Sequence, residues 1–180
     1  MEITITEALA EVPTLIKRID KKQRFVTDFL ARPANARDPH EKDGGSEALV
    51  AQTLQSIGDL EQRLIDIRSG IARANASTTI TIGDKTRTIT DWLTWRREVS
   101  EGQRTRLNSM AGTLRAVHAK AQSQGGKTTD NQAETSAPTD WIINVNEKEL
   151  SDQIEALETT LGTLDGQLSL KNATVTITLP

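Results

Sequence analysis

Six branched side chains, Leu150, Ile154, Leu157, Leu161, Leu164 and Leu168, recur at alternating spacings of four and three residues. Apolar residues repeating every 3.5 positions keep one stripe of an α-helix turned toward a partner helix, which is the coiled-coil condition. Val50, Thr53, Ile57, Leu60, Leu64, Ile67, Ile71 and Ala74 hold the same alternation without a break. Leu9, Val12, Ile16, Ile19, Val26 and Leu30 hold it with Gln23 as a polar member, and Leu107, Met110, Leu114, Val117 and Ala121 hold it again. Upstream of Leu107 the stripe is interrupted by Ser100, Gly102 and Gln103. Helices are therefore expected over about 7–32, 46–75, 91–121 and 147–171.

Capping residues support these limits. Thr4 with Glu7 and Asn146 with Glu149 are capping-box pairs, Ser46 suits the second start, and Thr90 or Asp91 the third. Pro13 argues against an early start to the first helix, because proline removes a backbone donor.

Between the helices the period changes from 3.5 to 2. "EITI" near the start, "STTITIGDKTRTIT" in the middle and "ATVTITLP" at the end alternate isoleucine or valine with threonine. That alternation belongs to strands with one buried face. Strands are expected at about 2–5, 78–82, 86–90 and 173–179, the middle two joined around Gly83-Asp84-Lys85. In an up-down-up-down order all of them fall at one end. Ile3, Ile5, Ile80, Ile82, Ile89, Val175, Ile177 and Leu179 would then face the bundle end and the threonines would face outward. The polar stretches 33–45 and 122–139 are expected to be flexible loops at the other end, and "DWIINV" (140–145) a short extended piece.

Composition fits narrow seams better than a thick core. Hydrophobic residues make up 36% of the chain, against about 45–50% in ordinary domains. The chain of 180 residues is expected to form a single domain, 1–180: a mainly α, elongated antiparallel four-helix bundle or coiled coil with a small antiparallel β-sheet at one end. Helix charges alternate, +2, −1, +3 and −4 over 7–32, 46–74, 91–121 and 147–171, which favours antiparallel neighbours.

Chemistry is sparsely encoded. Cysteine is absent, so thiolate chemistry is excluded. "QGGKTT" (124–129) is not a phosphate loop: the first glycine of that motif would fall on Ala121, and the segment follows a helix instead of a strand. His40 and His118 have no metal-ligand partner at helical spacing, and no Ser-His-acid set stands out. The acids Glu147, Glu149, Asp152, Glu155 and Glu158 follow a solvated helix face. The basic run Lys17 to Arg24 sits among acids on an amphipathic helix, and the net charge of −3 gives no basic excess for nucleic acid. The start "MEITITEALAEV" has no signal-peptide pattern, and no run of apolar residues is long enough for a membrane span. No enzyme activity, cofactor or metal is expected, and the location is cytoplasmic or within a virion.

Tryptophan is enriched at protein interfaces, and an open strand edge is a template for pairing with another chain. Trp92, Trp95, Val175, Ile177 and Leu179 are therefore the candidate interface. They point to a structural or assembly protein with protein partners, a homo-oligomer or a component of a phage or other multi-subunit particle. A coiled-coil adaptor using the broken seam at Ser100–Gln103 is the alternative.

Three stretches carry a family resemblance: "ITEALAEVPTLIKRI", "IARANASTTITIGDKTRTITDWLTWRREV" and "NVNEKELSDQIEALETTLGTLDGQL". Ile71, Arg73, Asn75, the pair Thr78-Thr79 and Thr88-Ile89-Thr90-Asp91 leading to Leu93 and Arg96 are the centre of it. The chain resembles the septicolysin-like family of small bacterial proteins. That resemblance implies long antiparallel helices with a small β element, and its lysin label implies a membrane-acting cytolysin. The terminal "ATVTITLP", Pro13 and the loop 122–138 depart from the family pattern.

Overall fold

The computed structural model describes residues 1–130 and 140–180. Residues 131–139, the second half of the stretch 122–139 expected to be a flexible loop, lie outside the described residues. The chain is 72% helical, so its core must be built at helix faces. The elements run β1 (Glu2–Thr4), α1 (Ile5–Asp28), a 3₁₀ turn (Glu41–Asp43), α2 (Ser46–Ser77), β2 (Thr79–Ile82), β3 (Lys85–Thr88) and α3 (Ile89–Thr94). A π-helical segment (Trp95–Ser100) joins α3 to α4 (Glu101–Ser123), and β4 (Thr128–Asp130), β5 (Trp141–Ile143), α5 (Glu147–Thr174) and β6 (Thr176–Thr178) follow.

The single domain expected from length gives way to two compact units, residues 1–78 with 169–180, and residues 79–168. Nor do the strands form one sheet. β1 pairs antiparallel with β6, β2 antiparallel with β3, and β4 parallel with β5, giving three two-stranded sheets. The physical reason is local closure: β2 and β3 are joined by their own tight turn, while β1 and β6 pack with α1 and α2 in a different core.

In the first unit α1 and α2 form an antiparallel pair. The Thr4–Glu7 capping box is complete, with the Glu7 amide donating to Thr4 Oγ1 at 3.2 Å and the Thr4 amide to Glu7 Oε2 at 2.7 Å. These bonds, the backbone one first, hold the Glu7 carboxyl below its usual range. Pro13 sits inside α1 without ending it. The helix buries Ile5, Ala8, Val12, Leu15 and Ile19, whereas Leu9 and Ile16, expected in the seam, are 44% and 40% exposed. Two heptad phases share Val12 and Ile19. The structure uses the one that puts small Ala8 in the contact with Ile67, Ile71, Ile177 and Leu179.

Gly70 explains how β6 reaches α2. A Cβ there would lie 3.1 Å from Ile177 Cδ1 and 3.4 Å from its Cβ, so any larger residue requires Ile177 to give way. Glu11 accepts a two-pronged bond from Arg63 at 3.0 and 3.1 Å, which raises the Arg63 pKa. The stretch 33–45 is fastened, contrary to its expected freedom. Asp38 accepts the Ser46 amide (2.9 Å), the Ser46 hydroxyl (2.5 Å) and the His40 amide (2.9 Å). Ser46 is thus the first helical residue, and Asp38, eight positions back, satisfies the open end of α2. The Ser46 bonds, with the His40 amide after them, lower the Asp38 carboxyl from 3.8 to about 2.

In the second unit Thr88 caps α3, two or three positions before the expected cap. It accepts the Asp91 amide at 3.1 Å. The β2–β3 turn is the two-residue Gly83-Asp84, with Ile82 opposite Lys85. Gly83 has φ +60 and no non-glycine residue in the described chain has positive φ, which is the type II′ pattern that suits a twisted hairpin. α5 is capped by Asn146, whose Oδ1 accepts the Glu149 amide at 3.1 Å. Two apolar clusters hold the unit: Ile80, Ile89, Trp92, Leu164 and Leu168, and Leu107, Leu150 and Leu157 with flanking Met110, Leu114, Ile154 and Leu161.

Candidate functional site

The five residues expected to share one interface fall in different units. Ile177 and Leu179 are buried in the first unit, where Ile177 pairs with Ile3 and covers Gly70. The Leu179 amide donates to the Met1 carbonyl, and the Met1 ammonium donates to the Leu179 carbonyl, both at 2.9 Å. The half-buried Val175 accepts the Ile5 amide at 3.0 Å. These side chains are core, because β1 occupies one edge of β6 and α2 lies against its apolar face.

Trp92 and Trp95 belong to the second unit, and there a site takes shape. Trp92 is 1% exposed and its indole N–H donates to the Ile80 carbonyl at 3.0 Å, tying the hairpin to the helix that follows it. The ring is wedged with Ile89, Leu164 and Leu168 of α5. Trp95 stands edge-on to it, centroids 5.5 Å apart at 85°. Arg87 of β3 lies over the Trp92 ring at 5.2 Å, an attraction worth about 0.5–1 kcal/mol at an exposed position.

Beyond this wedge the hairpin, α4 and α5 enclose an open groove of about 860 Å³. Trp95, Leu107 and Leu157 give it an apolar lining. The hairpin and α4 contribute Asp84, Lys85, Arg87 and Arg106, and α5 contributes Asp152 and Glu155. Of these charged groups only Asp152 is in an ion pair among the described residues, with Lys148 of its own helix at 2.8 Å. The other flank of the same helix pair differs. There Arg96 reaches Asp165 at 2.6 Å and Arg104 reaches Glu158 at 2.9 Å.

Gln103, one of the residues that break the sequence stripe, lines the groove. The break coincides with the π segment, whose wider turn absorbs a change of register, and Ser100 is buried there with its hydroxyl donating to the Arg96 carbonyl at 2.7 Å. The sequence marked this site by its interruption. It gave no sign that Arg87 and Arg106 would converge on it.

A second polar cluster was invisible in the sequence. His118 of α4 meets Glu147 of α5 through Nε2 at 2.8 and 2.9 Å, and Thr128 of β4 through Nδ1 at 2.9 Å. Those residues lie 29 and 10 positions from the histidine, too far for helical spacing to reveal. A hydroxyl, an imidazole and a carboxylate are in line, yet the His118 and Glu147 side chains are 39% and 43% exposed. The arrangement clasps β4 and α5 to the end of α4. Among the described residues no group of three or more His, Asp or Glu side chains is placed to hold a metal ion, and no helix is long and apolar enough to cross a membrane.

No family model matches the chain, and no curated protein matches it. Among solved structures it is similar to that of a functionally unknown conserved protein from Corynebacterium diphtheriae, 16% identical, with 99% of this chain and 100% of that one covered and a TM-score of 0.51. At that identity the likeness concerns the fold, a mainly helical chain with small sheets.

Proposed function

We propose that this chain is a non-enzymatic assembly protein that works through protein–protein contact at the Trp95 groove. The observation that carries this reading is the set of charges in no ion pair among the described residues, Lys85, Arg87, Arg106 and Glu155, gathered around an apolar lining of Trp95, Leu107 and Leu157. Charges that could pair within the chain do so on the opposite flank. On this side they stand apart across a gap that a partner can fill. An apolar centre with a charged rim is the usual anatomy of a protein interface. A component of a multi-subunit particle fits this reading, and the adaptor alternative uses the same surface, since Gln103 lies in it.

A photoreactive amino acid in place of Gln103 tests it in cells that make the protein. The expected result is a covalent adduct with protein from position 103 and none from a control at the exposed Thr113. Absence of any protein adduct at 103 overturns the reading.

A further inference from the structure

We propose that the partner in the groove is a second copy of this chain, packed about a two-fold axis so that the β2–β3 hairpin of each copy lies over α5 of the other. This rests on the protein-contact reading above and identifies the partner. The argument is charge symmetry. The hairpin and α4 side of the groove carries Lys85, Arg87 and Arg106 against Asp84, while the α5 side carries Asp152 and Glu155. The first side is net positive, and the second, where Asp152 is already paired with Lys148, keeps a negative charge through Glu155. A groove of a single sign would call for a different partner of opposite sign. A groove split into a positive and a negative half is complementary in sign to itself once rotated by half a turn, as a two-fold contact requires: residue i meets j, and j meets i.

The apolar lining supplies the centre. Trp95 is half-buried within one chain, and a two-fold contact places the two copies' Trp95 side chains near the axis, where a partner completes their desolvation. The flanking charges then select orientation and register more than they add affinity.

Sedimentation equilibrium of the full chain over a dilution series is the test, with two exposed single variants, Lys85→Glu and Glu155→Lys. The wild-type chain is expected to show the mass of two copies, falling toward one on dilution. Each variant alone opposes like charges twice, once at each end of the two-fold contact. Its midpoint is expected to move to at least about tenfold higher concentration, about 1.4 kcal/mol. An equal mixture of the two variants restores opposite charges at both positions and is expected to return to the wild-type midpoint. Far-UV circular dichroism confirms that both variants stay folded.

A wild-type mass of one chain throughout overturns the assignment. So does a mixture that associates no better than its components. If the chain is monomeric while position 103 forms adducts with a different protein, the second-copy assignment falls and the contact reading stands. If neither association nor adducts are found, both fall.

Discussion

In the first unit α1 and α2 approach closely because the residues between them are small where it matters. Ala8 is fully buried, and Gly70 lets Ile177 come so close that an added Cβ would lie 3.1 Å from its Cδ1. In the second unit the corresponding place between α3 and α5 holds Trp92, the largest of the fully buried side chains, with the hairpin behind it. One helix pair closes into a continuous seam; the other is wedged, and its seam opens into a groove. The repeat on α2 is unbroken, whereas that leading into α4 is interrupted at Ser100–Gln103, where Gln103 lines the groove. Side-chain volume and a break in the repeat together decide whether a seam closes or opens into a groove.

The comparison breaks most readily at the wedge. Trp92→Ala removes a buried ring and its bond to Ile80, and large-to-small changes of this kind cost about 3–5 kcal/mol. Urea denaturation is expected to show that loss, and amide exchange should quicken within 79–168 while α1 and the first three-quarters of α2 keep their protection. Equal loss across both units would show that the wedge does not belong to the second unit alone.

A smaller effect is expected from the opposite change in the seam. Gly70→Val drives a branched side chain into Ile177, and overpacking costs about 1–3 kcal/mol. The loss should appear first as faster exchange at the β1–β6 amides, with the Trp92 environment unchanged in near-UV circular dichroism. A variant as stable as the wild type would mean that β6 is free to shift away from α2.

Much of this architecture was legible because it rests on local rules. Period 3.5 marked the helices, period 2 marked the strands of Ile80 and Ile177, and two capping boxes fixed the starts of α1 and α5. What could not be read depends on residues that meet across long separations. Two heptad phases on α1 were equally plausible, and the choice between them depends on Gly70 and β6, about sixty and 170 positions away. The start of α2 looked like a serine cap, whereas Asp38 does the capping from within a loop. The strand β4 carries no alternation of its own and pairs in parallel with β5. Of the candidate interface, tryptophan composition pointed to Trp92 and Trp95 alike, of which Trp92 is buried and Trp95 lines the groove, and the strand residues Val175, Ile177 and Leu179 read as an interface only because their cover, β1 and α2, was not assigned to them. The division into two units was hidden because α5 is one uninterrupted helix, with residues in both.

Acid sharpens the contrast, because the first unit has a carboxylate tie at its loop. The Asp38 pKa is depressed in the folded chain, from 3.8 to about 2. Its contribution is therefore complete above the unfolded value and is lost as pH falls through the folded one. The α2 start is expected to loosen between about pH 4 and pH 2, seen as a shift of the Ser46 amide resonance with a midpoint near 2, and Asp38→Asn should abolish that titration. A midpoint at the ordinary aspartate value would show that Ser46 and His40 do not hold the carboxylate in solution.

The smallest effect separates the two flanks of the second helix pair. Arg104 and Glu158 are both about half exposed, at 49% and 46%, and sit 2.9 Å apart across α4 and α5. Solvent-screened pairs of this kind contribute about 0.2–1 kcal/mol, so Arg104→Ala should shift the urea midpoint only slightly. Its value lies in what it leaves alone. Arg104 belongs to the flank where charges pair within the chain, so its loss should not change the association midpoint of the 180-residue chain, whereas Lys85→Glu on the groove side should. If Arg104→Ala weakens association as strongly as Lys85→Glu, the contact surface extends over both flanks, and the division between a stitched side and an open side does not describe how the molecule meets its partner.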